Sequence, residues 1–266
     1  MPDNRFAFGA NWARLLERLT PGRIQLAEAS LTEMLGDLTG RRFLDIGSGS
    51  GLFSLAARNL GATVHSFDYD PRSVACTAEL RRRYHPNDEA WTVERGSALD
   101  ESYVRGLGSF DVVYSWGVLH HTGQMWRALD LATLPLAPRG QLFVALYNRT
   151  PPLRHRGIVA MKWTYVHVPP LRWPLVGAYA AMHGLPEIGS AIYRRRPLLG
   201  HFRRYATTSR GMSWWTDLVD WVGGYPYEAA MPGDVAKFYG DRGLTLEREV
   251  RREGIGCNEF VFRASR

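Results

Sequence analysis

Two clusters in this 266-residue chain carry residue types that do chemistry. The first is Asp45-Ile46-Gly47-Ser48-Gly49-Ser50-Gly51, with a further acid, Asp68, 23 residues beyond Asp45. Glycines at this density let the backbone turn tightly and let a ligand approach main-chain atoms with no Cβ in the way. A dinucleotide fingerprint is spaced G-x-G-x-x-G/A. Position 52 is Leu, and Asp45 has no place in that pattern, so a different nucleotide is expected. Asp45 suits a ligand with a positive amino group, Asp68 can accept both hydroxyls of a ribose, and Tyr69 can lie against an adenine face. Asp70, followed by Pro71, reads as a helix cap. The second cluster is His120-His121, two adjacent imidazoles that titrate near neutral pH and are candidates for taking a proton.

The elements that must position these residues follow from hydrophobic patterning. Residues 43–46, 63–67, 91–93, 110–115 and 141–146 read as strands, separated by helical stretches such as 52–60 and 73–84. Strands alternating with helices imply crossover units and a parallel sheet, so the fold class is α/β. After Tyr147 the rhythm breaks into a long segment rich in proline, arginine and aromatics. It resumes with a helix near 235–242 and strands near 244–250 and 258–263.

Taken together, the glycine loop, Asp68, the run Gly96-Ser97-Ala98-Leu99-Asp100 and the run from Ser115 to Thr122 resemble the class I S-adenosylmethionine-dependent methyltransferases. The resemblance covers residues 43–146. It implies a Rossmann-like, mostly parallel seven-stranded sheet with flanking helices, its last strands forming an antiparallel hairpin, and a lid inserted between strands 5 and 6. The implied domains are cofactor-covering helices in 1–40, a methyltransferase core in 41–147 and 232–266, and a substrate lid in 148–231.

By the same resemblance the cofactor is S-adenosylmethionine. Asp45, Gly47, Ser48, Gly49 and Gly51 would hold its methionine part, Asp68 and Tyr69 its ribose and adenine. Ser97 and Ala98 would border the adenine, with Ser115 and Trp116 also at the cofactor. Many relatives carry an acid where Ser97 stands, which is a departure. His121, and secondarily His120, would act as base or orient the acceptor. The competing reading packs one histidine against the cofactor and uses the other to cap the helix starting near Thr122. Ser115-Trp116-Gly117-Val118 is not the Asn/Asp-Pro-Pro-Tyr element of enzymes that methylate base amines. No acid lies between Asp111 and Asp130 to hold Mg²⁺, so no metal is expected.

Charge is unevenly placed. The formal net charge is +7 and all but two of the 33 basic residues are arginine, Lys162 and Lys237 being the exceptions. Between Thr150 and Arg210 ten basic residues face one acid, Glu187, so the rest of the chain is slightly acidic. Arg194, Arg195 and Arg196 there, with Arg203 and Arg204, suit a carboxylate or phosphate in bidentate fashion. The aromatics among them suit an aromatic acceptor, and residues 175–185 suit a membrane surface. Tyr225, Tyr227 and Glu228 on a Gly/Pro loop are candidate walls of a substrate site, and Phe8 and Trp12 candidates to close it.

The expected function is therefore metal-independent methyl transfer to a small acceptor, anionic or aromatic, in the cytoplasm, with specialised metabolism as a setting. The alternatives are an RNA methyltransferase clamped by the arginines, the less favoured partner class, and a non-catalytic binding module with the same fold. Two distant cysteines, Cys76 and Cys257, argue against a disulfide framework, and no apolar run reaches the length of a membrane span. The oligomeric state is not legible.

Overall fold

The sheet is assembled from strands whose side chains alternate between two apolar layers. In the computed structural model, which describes residues 12, 16, 19–195, 197 and 214–265, α1 (Pro21–Leu35) precedes β1 (Arg42–Ile46), α2 (Leu52–Asn59), β2 (Thr63–Asp68) and α3 (Pro71–Tyr84). Next come β3 (Trp91–Arg95), α4 (Glu101–Gly106), β4 (Phe110–Trp116), a 3-10 turn (Leu119–His121), α5 (Met125–Leu131) and β5 (Leu136–Tyr147). Phe43, Val112, Tyr114, Phe143, Ala145 and Val261 point into one layer. Leu44, Val113, Leu142, Val144, Phe260 and Phe262 point into the other. A sheet buried on both faces needs helices on both, which the crossovers supply.

Beyond β5 the segment without strand alternation is helical: α6 (Pro152–His167), a 3-10 turn (Pro169–Leu171), α7 (Arg172–Tyr193) and α8 (Trp214–Gly223). These helices share a small core of Val176, Leu218 and Val222, separate from the layers on the sheet. The chain then returns through α9 (Pro232–Gly240) to β6 (Leu244–Val250) and β7 (Cys257–Ala264).

Strand order is β3-β2-β1-β4-β5-β7-β6. The pairs among β1 to β5 are parallel, whereas β7 runs antiparallel to both β5 and β6, so the sheet is mixed at that edge. The order reverses between β1 and β4, and in open α/β sheets the ligand crevice lies outside the carboxyl ends of the strands at that switch. The loops after β1 and β4 carry the glycines and the histidines respectively.

Asp70 caps α3 as its type predicts, accepting the Arg72 N–H at 2.9 Å, with Pro71 opening the helix. Strand β5 starts at Leu136, earlier than residue 141, because Leu136 pairs with Phe110 before Pro138 and Arg139 (φ 60°) shift the register. A proline there costs one ladder hydrogen bond but does not end the strand. No helix among the described residues is long and apolar enough to cross a membrane.

Candidate active site

The glycine loop is held by its own backbone. Gly47 and Ser48 donate to the Phe67 carbonyl at 2.8 and 3.1 Å, and Gly51 donates to Ser48 at 2.8 Å. Gly47 has φ 77°, and a Cβ there would stand 2.3 Å from Cγ1 of Val118. The β1 and β4 loops therefore touch, and only glycine allows it. A Cβ on Gly49 would lie 3.2 Å from the Trp12 indole, so Trp12 covers the glycine loop. Ser48 shares a hydrogen bond with the Thr77 hydroxyl at 2.9 Å, bracing the loop against α3.

Two carboxylates close this mouth. Asp68 accepts Gly49 N–H and Asp70 N–H, both at 2.9 Å, one on each oxygen. Burial lifts its carboxyl to about 6, with the Asp70 and Gly49 N–H groups pulling the other way. Asp45 is 3% exposed and takes the end of an interior relay. Trp91 Nε1 donates to Ser66 Oγ (2.9 Å), Ser66 to Ser54 Oγ (2.8 Å), and Ser54 to Asp45. Burial raises Asp45 to about 7, opposed by the Ser54 bond and assisted by the nearby Asp68 charge. Among the described residues neither acid has a cationic partner.

The other cofactor candidates sit around this pair. Tyr69 is exposed, the Arg95 guanidinium 5.7 Å from its ring centroid. Ser97 Oγ accepts the Leu99 N–H at 3.2 Å and so starts a turn, while Ala98 packs on the sheet layer. Gly96 donates to the Asp68 carbonyl (3.1 Å), and a Cβ on it would strike the Tyr103 ring. Ser115 is buried and donates to the Ile46 carbonyl at 3.1 Å, joining β4 to β1 at the switch point. The Trp116 indole N–H donates to Glu259 Oε1 at 3.2 Å.

Beyond the β4 loop lies an aromatic chamber. His121 Nδ1 is 2.6 Å from the Pro226 carbonyl, an acceptor only, so Nδ1 carries the proton and Nε2 the lone pair. Burial, then the Lys162 charge, hold its pKa at about 3, and the ring is neutral at physiological pH. His120 is wholly buried, 4.1 Å from the Tyr147 ring and 4.5 Å from that of His121, and burial holds it neutral as well. Both its nitrogens, the Tyr227 hydroxyl and the Trp221 indole N–H are buried with no hydrogen-bond partner among the described residues. Each such group costs about 1–3 kcal/mol unless a ligand or water completes it.

Lys162 on α6 projects into the same chamber with no exposed surface. Its ammonium donates to the Trp221 carbonyl and stands 3.9 Å from the Trp221 ring centroid and 5.0 Å from that of Tyr227. Burial brings its pKa from 10.5 down to about 7, with Asp220 opposing. Sequence reading missed Lys162, Trp221 and Tyr147 as site residues. One signal was present, a lysine kept in a chain where arginine is otherwise the rule.

Of the loop candidates, Tyr227 lines the chamber, its ring 5.1 Å from Tyr147. Glu228 holds its frame, accepting Met125 N–H at 2.9 Å and donating its own N–H to the His120 carbonyl at 3.0 Å. Tyr225 packs edge-on against His167 at 5.5 Å, on the α6 side. Arg194 and Arg195 stand exposed past the end of α7, and no contact among the described residues joins them to His121. Phe8, Arg196, Arg203 and Arg204 lie outside the described residues.

A family model described as "Methyltransferase domain" matches residues 12–174. A ubiquinone biosynthesis O-methyltransferase from Xanthomonas oryzae pv. oryzae (strain PXO99A) is 32% identical over 137 residues, 51% of this chain and 53% of that protein. The chain thus spans about half the length of the curated relatives it matches. Among solved structures, magnesium protoporphyrin IX methyltransferase from Synechocystis PCC 6803 with bound SAH superposes with TM-score 0.55 at 15% identity, covering 96% of this chain and 94% of that one. An O-methyltransferase family protein from Burkholderia thailandensis gives TM-score 0.55 at 13% identity, covering 91% and 57%. At these identities the superpositions speak for the fold.

Proposed function

The chain belongs to the methyltransferase-domain family, and from that premise we propose that it transfers the methyl group of S-adenosylmethionine to an oxygen of a small acceptor held against His121. The observation that carries the reading is a pair of carboxylates, the buried Asp45 and the half-buried Asp68, at the glycine-lined ends of β1 and β2. Both are lifted by burial and lack a cation, so a ligand that brings an ammonium, a sulfonium and two ribose hydroxyls satisfies them. A carboxylate oxygen has two lone pairs, so Asp68 keeps acceptor capacity beyond its two backbone bonds.

In this reading Gly47, Gly49 and Asp45 border the methionine part, Asp68 the ribose, and Tyr69, Ser97 and Ala98 the adenine. When bound, S-adenosylmethionine supplies an electrophilic methyl on a sulfonium. The chain's own work is alignment. His121 Nε2 accepts a hydrogen bond from the acceptor hydroxyl and so orients its oxygen, the Pro226 carbonyl holding the ring in the tautomer that leaves Nε2 as acceptor; with its pKa held at about 3 the ring positions the hydroxyl rather than carrying its proton away. His120, fully buried behind it, orients rather than titrates. The unpartnered Tyr227 hydroxyl and Trp221 N–H position polar groups of the acceptor, and Lys162 stabilises negative charge developing on it. An oxygen acceptor is also what the Xanthomonas relative's name states of that protein.

We assign residues 148–231 as the substrate lid, since α6 and α8 supply Lys162 and Trp221, and the segment up to residue 40 as cofactor cover, since Trp12 lies over Gly49. The core is 41–147 with 232–266. We take the transfer as metal-independent and cytoplasmic. The test is incubation of purified protein and S-adenosylmethionine with a metabolite extract, scored by mass for gain of one methyl group. Products that persist in EDTA and vanish with His121→Ala support the proposal. No methylated product and no binding of S-adenosylhomocysteine would overturn it.

A further inference from the structure

Helix α7 is apolar on nearly every side, yet only one side is covered. Val176, Gly184 and Ala191 face the small core with Leu218 and Val222 of α8. The opposite side runs at steps of three and four from Pro174 through Ala178, Ala181 and Leu185 and on to Ile192, and it is exposed throughout. Leu185 is 63% and Ile192 64% exposed, with Met182 beside them at 60%; Trp173, 66% exposed, stands in the first turn of the helix, off this stripe and on the azimuth of Ala191. Over 22 residues this face is about 33 Å long. The helix's one acid, Glu187, falls on the far side at about 100° per residue. A soluble surface helix carries charge on its outer stripe, and one apolar all round is a covered helix.

The surroundings say what covers it. Arg172 opens the helix and Arg194 and Arg195 follow its end, while α6, joined through Pro169–Leu171, adds exposed Arg154 and Arg156. Within residues 152–195 six basic residues face one acid. Leu153 and Trp163 of α6 are exposed as well. Arg172 spends its guanidinium on the Tyr165 and Val166 carbonyls, so the free positive charge is that of Arg194 and Arg195 past the end of α7 and of Arg154 and Arg156 on α6. An uncharged stripe, tryptophans with a polar N–H on an apolar ring, and these exposed arginines match the acyl boundary, the headgroup level and the phosphates of a lipid surface in turn. A protein partner would answer the stripe but not the excess of positive charge around it. We propose that the outer face of the α6–α7 hairpin docks on an anionic lipid bilayer, with α7 lying in the plane of the interface.

The test is flotation of the full chain with vesicles of equal parts phosphatidylglycerol and phosphatidylcholine, against phosphatidylcholine alone. The wild type should float with the anionic vesicles and about tenfold less with the neutral ones. Leu185→Glu with Ile192→Glu, both exposed positions, should lower anionic-vesicle binding about tenfold while leaving S-adenosylhomocysteine affinity unchanged, which reports folding and the cofactor mouth separately. Brominated lipid should quench fluorescence that is absent in Trp173→Phe. A wild type that stays in the aqueous layer with both vesicles overturns the proposal, as does a Glu pair that binds like wild type. Self-association abolished by that pair, without vesicle binding, would assign the face to a second copy instead.

Discussion

The mouth at the ends of β1 and β2 and the chamber beyond β4 meet where Val118 touches Gly47, yet they are built in opposite ways. In the mouth nearly every polar group has a protein partner: Asp68 on two N–H groups, Asp45 on the Ser54–Ser66–Trp91 relay, Ser48 on Thr77. Its shape is complete before anything binds. In the chamber His120, Trp221 and Tyr227 bury polar atoms that find no partner among the described residues, around a lysine lowered to about 7. A rigid mouth suits one unvarying cofactor, whereas unmet donors and acceptors are matched by the acceptor molecule. Such buried groups discriminate strongly, because a ligand lacking the matching atom leaves them unpaired.

If the contrast is real, substitutions on the two sides must fail differently. The largest effect belongs to the chamber: His121→Ala should lower kcat by about 10²–10⁴ with S-adenosylhomocysteine affinity within about twofold, since His121 belongs to the acceptor side. A parallel loss of both would merge the two regions. In the mouth, Gly47→Ala adds a left-handed backbone strain of about 1–2 kcal/mol and overpacking against Val118 of about 1–3 kcal/mol. Urea melts should show a loss of about 2–5 kcal/mol; a wild-type melt would show that the two loops part freely.

A finer test uses pH. Lys162 is protonated up to 10.5 in the unfolded chain but only to about 7 in the folded one, so between those values the unfolded state binds more protons. Stability should therefore rise as pH climbs from 7, and fall back as pH drops toward 7. Lys162→Met should flatten that slope. An unchanged slope would mean that the ammonium is solvated and the chamber open to water.

The same contrast explains what the sequence made legible. The mouth lies within residues 45–100, on consecutive strand-loop-helix units, so glycine spacing and the acids at 45 and 68 reveal it directly. Asp70 likewise declares itself as a cap through the proline after it. Ser115, a cofactor candidate, donates its hydroxyl to the Ile46 carbonyl, a contact fixed by strand pairing that no local pattern encodes. The chamber gathers residues 120, 147, 162, 221 and 227 from five separate elements or loops. Lys162 sat unnoticed in a count of positive charge, because burial and not residue type makes it a site residue. Glu228, a candidate wall of the substrate site, has its carboxylate at the start of α5, accepting the Met125 N–H.

The central claim is that the Asp45 and Asp68 carboxylates receive an adenosyl ligand, and calorimetric titration of S-adenosylhomocysteine into wild type and Asp68→Ala tests it most directly. The account predicts saturable one-to-one binding to the wild type. Loss of the ribose partners in the variant should cost about 1–3 kcal/mol. No binding to the wild type, or equal affinity in both proteins, would contradict it.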